Sequence, residues 1–251
     1  MTKFDMHIHS DKSTPNPNAL LQAMDKAGIH GGCVFSTPPA QMKMPESEAD
    51  FDSRLERVLA WAKDHPDRIF PVMWIHPFEE DIFNKITRAV DKGIAAFKII
   101  CTDFYIYDDI PMQVVRHIAS LNKPIIFHTG ILWDGNVSSN YNRPLNWEAL
   151  LDVEGLKFSL GHCSWPWIDE CIALYGKFLN SGRGAEMFFD ITPGTPKIYR
   201  EELLTKLYTI GYNVGDNIMF GSDCSAQCYR SEWVSDWLET DGKILDKLGV
   251  S

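Results

Sequence analysis

Positive charge is the first thing this chain is short of. Its 24 Lys and Arg face 34 Asp and Glu, a formal net charge of -10 over 251 residues, with a pI near 5.2. Phosphate backbones are bound by clustered Lys and Arg, so a nucleic-acid partner is not expected. Cysteine is equally sparse. Six in a chain of this length cannot make a disulfide framework, and those inside apolar runs read as reduced core thiols. Cys224 and Cys228, four apart beside Asp223, lack the second pair that a Cys-based metal site would need. No apolar run approaches the roughly 20 residues of a membrane span, and Met1 to Ser10 reads as a strand rather than a leader. A cytoplasmic protein without a membrane partner is expected. No Gly-x-Gly-x-x-Gly follows the first strand, which removes the main support for a dinucleotide fold. No low-complexity tract, short repeat or linker interrupts residues 1–251, so one domain is expected.

What is present is a regular alternation. Apolar, β-rich runs are followed by helix-length amphipathic segments eight times, the pattern of a parallel sheet covered by helices. The strands read as Lys3–His9, Gly32–Ser36, Ile69–Ile75, Ile94–Cys101, Pro124–His128, Lys157–Gly161, Glu186–Ile191 and Asn217–Gly221. The helices read as Asn18–Ala27, Glu46–Asp64, Glu79–Lys92, one from near Pro111, Pro144–Val153, Trp167–Leu179, Tyr199–Ile210 and Glu232–Leu248. Eight such units in about 250 residues predict an α/β fold, a (β/α)8 TIM-type barrel. Two loops exceed the usual few residues, Thr37–Pro45 and Thr129–Arg143, and both would lie at the C-terminal face where barrel active sites are built.

Histidines and one aspartate collect at that face. Residues two apart on a strand share a side, so His7 and His9 point the same way from strand one. His128 ends strand five, His162 follows strand six and Asp223 follows strand eight. Imidazole and carboxylate are the donors expected for zinc or a similar divalent ion. Taken singly, each has an ordinary reading: a packed histidine, or for Asp223 a helix cap. Their common address on a barrel is what argues for a site. Of the other histidines, His30, His65 and His117 read as surface or helix-end residues, while His76 follows strand three and is a further pocket candidate.

The ordered set Asp5-Met6-His7-Ile8-His9, Pro124-Ile125-Ile126-Phe127-His128-Thr129-Gly130, Leu160-Gly161-His162-Cys163 and Phe220-Gly221-Ser222-Asp223 resembles the amidohydrolase superfamily. It is closest in style to the amidohydrolase-related branch of small hydrolases, lactonases and aminocarboxymuconate-semialdehyde-type decarboxylases, and Arg143-Pro144-Leu145 resembles that branch as well. The resemblance implies a metal held by His7, His9, His128 and Asp223. It places His162 beside the activated water and gives Asp223 a second role as proton shuttle. One ion per subunit is expected, most simply Zn(2+), with Mn, Fe or Co as substitutes suited to the same donors.

The resulting expectation is a metal-dependent hydrolase of a small-molecule carbonyl substrate, a lactone, amide or ester. Non-oxidative decarboxylation with the same ligands is the alternative, and a non-catalytic barrel a third reading. Lys98 in strand four has three readings: a carbamylated bridge between two metals as in binuclear relatives, a contact to a substrate carboxylate, or a lysine snorkelling from the wall. In the long fifth loop, Arg143 could clamp a carboxylate and Trp133 is a second candidate substrate contact. Trp165, Trp167, Trp233 and Trp237 read as helix packing. Asp5 reads as a buried polar group rather than a ligand, and a homodimer is the default oligomer.

Overall fold

The computed structural model describes residues 2–194 and 196–250. Among these residues nine parallel strands lie in the order β8-β7-β6-β5-β4-β3-β2-β1-β9. They are β1 Phe4–His9, β2 Gly31–Phe35, β3 Ile69–Trp74, β4 Ala96–Ile99, β5 Ile125–Phe127, β6 Lys157–Leu160, β7 Glu186–Asp190, β8 Ile218–Met219 and β9 Cys224–Ser225. The sheet closes on itself. Met6 N–H donates to the Phe220 carbonyl at 2.9 Å, Asp223 N–H to His7 at 2.9 Å and Ala226 N–H to His9 at 2.7 Å. The chain from residue 220 to 226 therefore runs beside β1 and joins the two edges, giving the α/β TIM-type fold expected from the alternation.

Among the described residues seven α-helices surround the barrel: α1 Pro17–Lys26, α2 Phe51–Ala62, α3 Ile82–Asp91, α4 Asp109–Ser120, α5 Ile168–Ser181, α6 Arg200–Thr209 and α7 Ser231–Leu248. Local chemistry sets their starts. Asn16 caps α1 by accepting from Ala19 N–H, with Pro17 in the first turn, where its missing N–H costs nothing. Asp50 caps α2 through Asp52 N–H. That helix starts later than Glu46, because Ala40–Met42 forms a 3₁₀ turn and Pro39 bridges to Glu48. The acidic run at Glu79 does not open α3 either: Glu79 is buried and paired with Arg54.

Two further elements depart from the sequence reading. Pro144–Asp152 is a 3₁₀ helix, not an α-helix. Pro144, Trp147 and Leu150 are its buried residues, a spacing of three that matches three residues per turn. Strand eight is interrupted between β8 and β9. A Cβ on Gly221 would lie 2.0 Å from Thr192 Oγ1 and 2.5 Å from His7 Cβ, so the backbone passes this point only as glycine. Ser222 N–H is then tied to Asp5 Oδ1 at 2.9 Å, and Asp223 turns with φ +61°.

Alternate strand positions divide the core. Cys33, Phe35, Val72, Ala96 and Ile126 form one interior cluster. Ile8 and Val34 face outward onto Leu20, Leu21 and Trp61. The largest cluster lies between β3–β7 and the helices outside them, around Phe97, Phe127, Phe158 and Phe189. Burial on both faces is what parallel strands require, and it explains their nearly unbroken apolar runs. Among the described residues no helix is long and apolar enough to cross a membrane.

Candidate metal centre at the barrel mouth

The C-terminal ends of the strands open into a cavity of about 690 Å³, lined among others by His7, His9, Lys98, His128, His162 and Asp223. At its floor, donor atoms of His7, His9 and Asp223 all lie within 4.8 Å of one another. The Asp223 Oδ1 is 3.1 Å from His9 Nε2 and 3.7 Å from His7 Nε2. The two histidines arrive on one side of β1, as spacing by two dictates, and Asp223 swings in from the turn that Gly221 permits.

His7 is fixed from behind. Its Nδ1–H donates to Asp190 Oδ2 at 2.7 Å, with both side chains 1% exposed. Asp190 is held in turn by Thr192, whose N–H donates to Oδ1 at 2.8 Å and whose hydroxyl donates to the same oxygen. A proton on Nδ1 leaves the Nε2 lone pair facing the cavity, the form a ligand needs. Burial, seconded by the Lys98 charge, lowers the His7 pKa to about 4, so the ring is neutral. For Asp190, burial is outweighed by His7, His162 and Thr192, and its carboxyl is held well below the carboxylate range.

His128 is buried, and burial together with His162, Lys98 and His7 holds its pKa well below the ordinary value. Its Nε2 has no hydrogen-bond partner. An orphaned buried nitrogen is costly unless something outside the protein fills the position. His162 sits in the same wall, its ring 5.0 Å from His128 and 5.4 Å from His7. Its Nδ1–H donates to the Thr192 carbonyl at 3.2 Å, which leaves Nε2 as an acceptor. His162 and Asp223 both adopt left-handed backbone, φ +56° and +61°, a conformation uncommon outside glycine and one that gathers at functional sites.

Asp223 resembles Asp190 in its electrostatics. Burial raises its carboxyl, but the His9 hydrogen bond and the neighbouring imidazoles of His7, His9 and His162 overcome that and hold it well below the usual range. Lys98 is buried in the cavity floor, its Nζ 3.5 Å from His7 Nε2, and burial lowers its pKa to about 8 against the raising effect of Asp190 and Asp223.

The structure thus brings His7, His9, Asp223, His128, His162 and Lys98 to one cavity, the first three in the tight cluster. Trp133 also lines it and is 77% exposed. Arg143 does not reach it: its guanidinium pairs with Glu170 and lies over the Trp167 ring, outside the lining. His76 is likewise turned away, accepting Phe78 N–H at Nδ1. Trp165, expected to serve only helix packing, lines the cavity as well. Asp5 is not a ligand. It accepts from His7 N–H, Ser222 N–H and Tyr229 hydroxyl at 3.1, 2.9 and 2.7 Å, stapling β1 to the turn before Asp223. Cys224 is buried beside β1 while Cys228 is exposed, and neither joins the cluster.

A family model described as amidohydrolase matches residues 4–242. The chain belongs to the amidohydrolase family. No curated protein matches it, so relatives are found by structure. A "probable 2-pyrone-4,6-dicarboxylic acid hydrolase" of Acinetobacter baumannii, solved with citric acid, superposes with a TM-score of 0.64 at 13% identity, covering 98% of this chain and 92% of its own. A 2,6-dihydroxybenzoate decarboxylase complexed with 2,6-dihydroxybenzoate gives 0.64 at 13% identity, covering 95% and 91%. A dihydroorotase of Campylobacter jejuni gives 0.53 at 16%, covering 98% and 83%. Identities this low establish the shared barrel. The amidohydrolase family is one of enzymes.

Proposed function

We propose that this amidohydrolase is a metal-dependent hydrolase of a small carbonyl compound, a lactone, amide or ester. The observation that carries the reading is the His7–His9–Asp223 cluster with the partnerless Nε2 of buried His128 in the same cavity. Three imidazoles and a carboxylate suit Zn(2+), and also Mn, Fe or Co. A divalent ion held there would supply Lewis-acid polarisation of the carbonyl and a more acidic water.

The protein's own groups have complementary tasks. Asp190 keeps His7 in the tautomer that presents Nε2. His162 Nε2, free while Nδ1 is engaged with Thr192, accepts a proton from the attacking water. Asp223, with its carboxyl held ionised, would take up the remaining proton of the attacking water and hand it to the leaving group.

Decarboxylation is the second reading, supported by the likeness in fold to the dihydroxybenzoate decarboxylase and by the cation of Lys98 in the floor. Carbon dioxide among the products of a carboxylated substrate distinguishes it. The test is elemental analysis of the purified protein with variants. One zinc per chain is expected, falling below a tenth in His7→Ala and in Asp223→Ala, with hydrolytic activity falling alongside. Full metal content and activity in both variants would sink the proposal; two metals with a carbamate on Lys98 would replace the one-metal form.

A further inference from the structure

Two imidazoles of the cavity are tied to one residue, Thr192, which lies just beyond the end of β7 and is 2% exposed. Its N–H and its hydroxyl both donate to Asp190 Oδ1, and the other oxygen of that carboxylate accepts from His7 Nδ1–H. On its other side, the Thr192 carbonyl accepts from His162 Nδ1–H at 3.2 Å. A backbone carbonyl can only accept, and so can an ionised carboxylate. Both rings must therefore carry their proton on Nδ1, which leaves both Nε2 atoms as acceptors.

The chain around Thr192 leaves little room for another arrangement. A Cβ on Gly194 would lie 2.5 Å from His162 Nδ1 and 2.6 Å from its Cγ. The backbone at Gly194 thus passes flat against the ring and keeps Nδ1 beside the Thr192 carbonyl. A Cβ on Gly221 would lie 2.0 Å from Thr192 Oγ1, so the hydroxyl is wedged between the Asp190 carboxylate and the turn that leads to Asp223. A β-branched side chain confined in this way has little χ1 freedom. Ordinary packing accounts for a buried threonine. It does not account for one whose three polar atoms are all directed to a cavity histidine or to the carboxylate behind one.

We propose that Thr192 is a positioning residue that sets His7 and His162 as a pair, through Asp190 for the first and directly for the second, with Gly194 giving His162 the space to reach its carbonyl. This rests on the mouth being the active site argued above. It adds a role for the end of β7: the ring offered to a metal and the ring offered as a base are held in the same tautomer by one residue. Thr192 is not among the residues lining the cavity, so its influence passes through the two rings alone.

The tautomers can be read without zinc and without a substrate. Long-range proton–nitrogen correlation spectra of protein carrying isotope-labelled histidine, taken above neutral pH, separate Nδ1–H from Nε2–H rings. His7→Gln and His162→Gln assign the two signals. Both rings are expected as Nδ1–H in the wild type, in Thr192→Ser and in Thr192→Val, since neither variant removes the carbonyl or the carboxylate. Zinc affinity, measured by competition with a chromophoric chelator, tells those variants apart. Losing the hydroxyl in Thr192→Val frees one side of Asp190 and lowers affinity at least about threefold, while Thr192→Ser keeps the hydroxyl and stays within about twofold of the wild type. Gly194→Ala pushes on His162 alone: that ring passes in part to the Nε2–H form, and His7 keeps Nδ1–H. An Nε2–H ring at either position in the wild type overturns the assignment, whatever the variants do. So do equal zinc affinities in Thr192→Val and the wild type, Thr192→Ser as weak as Thr192→Val, or His162 unmoved in Gly194→Ala. Both rings disturbed alike in Thr192→Val and Gly194→Ala also overturn it, since that is what a general loosening of the fold produces. Failure of the wild-type protein to take up zinc strikes the hydrolase reading instead, and the tautomers are still read in the zinc-free protein.

Discussion

Asp190 is the residue on which the geometry of the floor turns, although it faces no substrate. Its carboxylate fixes the His7 tautomer at 2.7 Å and is anchored by Thr192 from behind. Asp190→Asn keeps an oxygen able to accept from His7 Nδ1–H but removes the charge that makes Nε2 a better donor. Zinc affinity should fall by about 10–100-fold, measured by competition with a chromophoric chelator, while the far-ultraviolet spectrum stays unchanged. Undiminished affinity would show that Asp190 does not act through His7. The sequence reading passed over this residue. The signal was there, an acidic residue closing the apolar run Met187-Phe188-Phe189, but attention to histidines left strand seven without a role. By contrast His7, His9, His128, His162 and Asp223 were legible, because residue type and position at a strand end are both written in the chain. Orientation was not: the left-handed turns at His162 and Asp223 and the diversion of Arg143 to Glu170 depend on contacts distant in sequence.

Between elements, the buried pair of Arg54 on α2 and Glu79 on the β3–α3 loop ties the upper rim together. Arg54 also donates to the Trp74 carbonyl at 2.6 Å, and Glu79 accepts His76 N–H at 2.9 Å. The end of β3, the helix before it and the loop after it are thus joined through two side chains. Arg54→Met leaves a buried carboxylate without its counter-charge and removes a donor from the Trp74 carbonyl, and should cost about 3–5 kcal/mol in urea unfolding. Adding Glu79→Gln should return part of that loss, because the stranded charge goes with it. A single-variant loss below 1 kcal/mol would mean that water reaches the pair. Neither partner was identifiable beforehand. Glu79 read as the first residue of a helix, since a helix start and a buried ion pair draw on the same residue type. The 3₁₀ segment at Pro144–Asp152 was misread for a related reason: apolar residues every three positions sit close enough to a 3.6 period to pass for an α-helix over nine residues.

At the scale of the whole barrel, the alternation of strands and helices was enough to read the architecture, because each parallel strand must be buried on both faces and each helix on one. The barrel it implied closes in a way the sequence does not show, since two short pairings separated by Gly221 and Ser222 do not look like one strand. Building a floor of neutral imidazoles into this fold has a consequence for stability. His7, His76 and His128 all have pKa values lowered by burial, for His7 from 6.5 to about 4. Each is protonated in the unfolded chain before it is in the folded one, so its contribution is complete above pH 6.5 and drains away as the pH falls toward the folded value. For His7 alone the displacement corresponds to about 3 kcal/mol. Asp5 works the other way: burial raises its carboxyl to about 6, so acidification from pH 6 toward 3.8 relieves a penalty. Three groups against one predict that chelator-treated protein loses stability between pH 6.5 and 5, seen as a lower urea midpoint at pH 5 than at pH 7. The zinc-loaded protein should fall more steeply, since protons then compete with the ion for the same nitrogens. A midpoint that holds steady or rises on acidification would show that these imidazoles are not kept neutral by the fold.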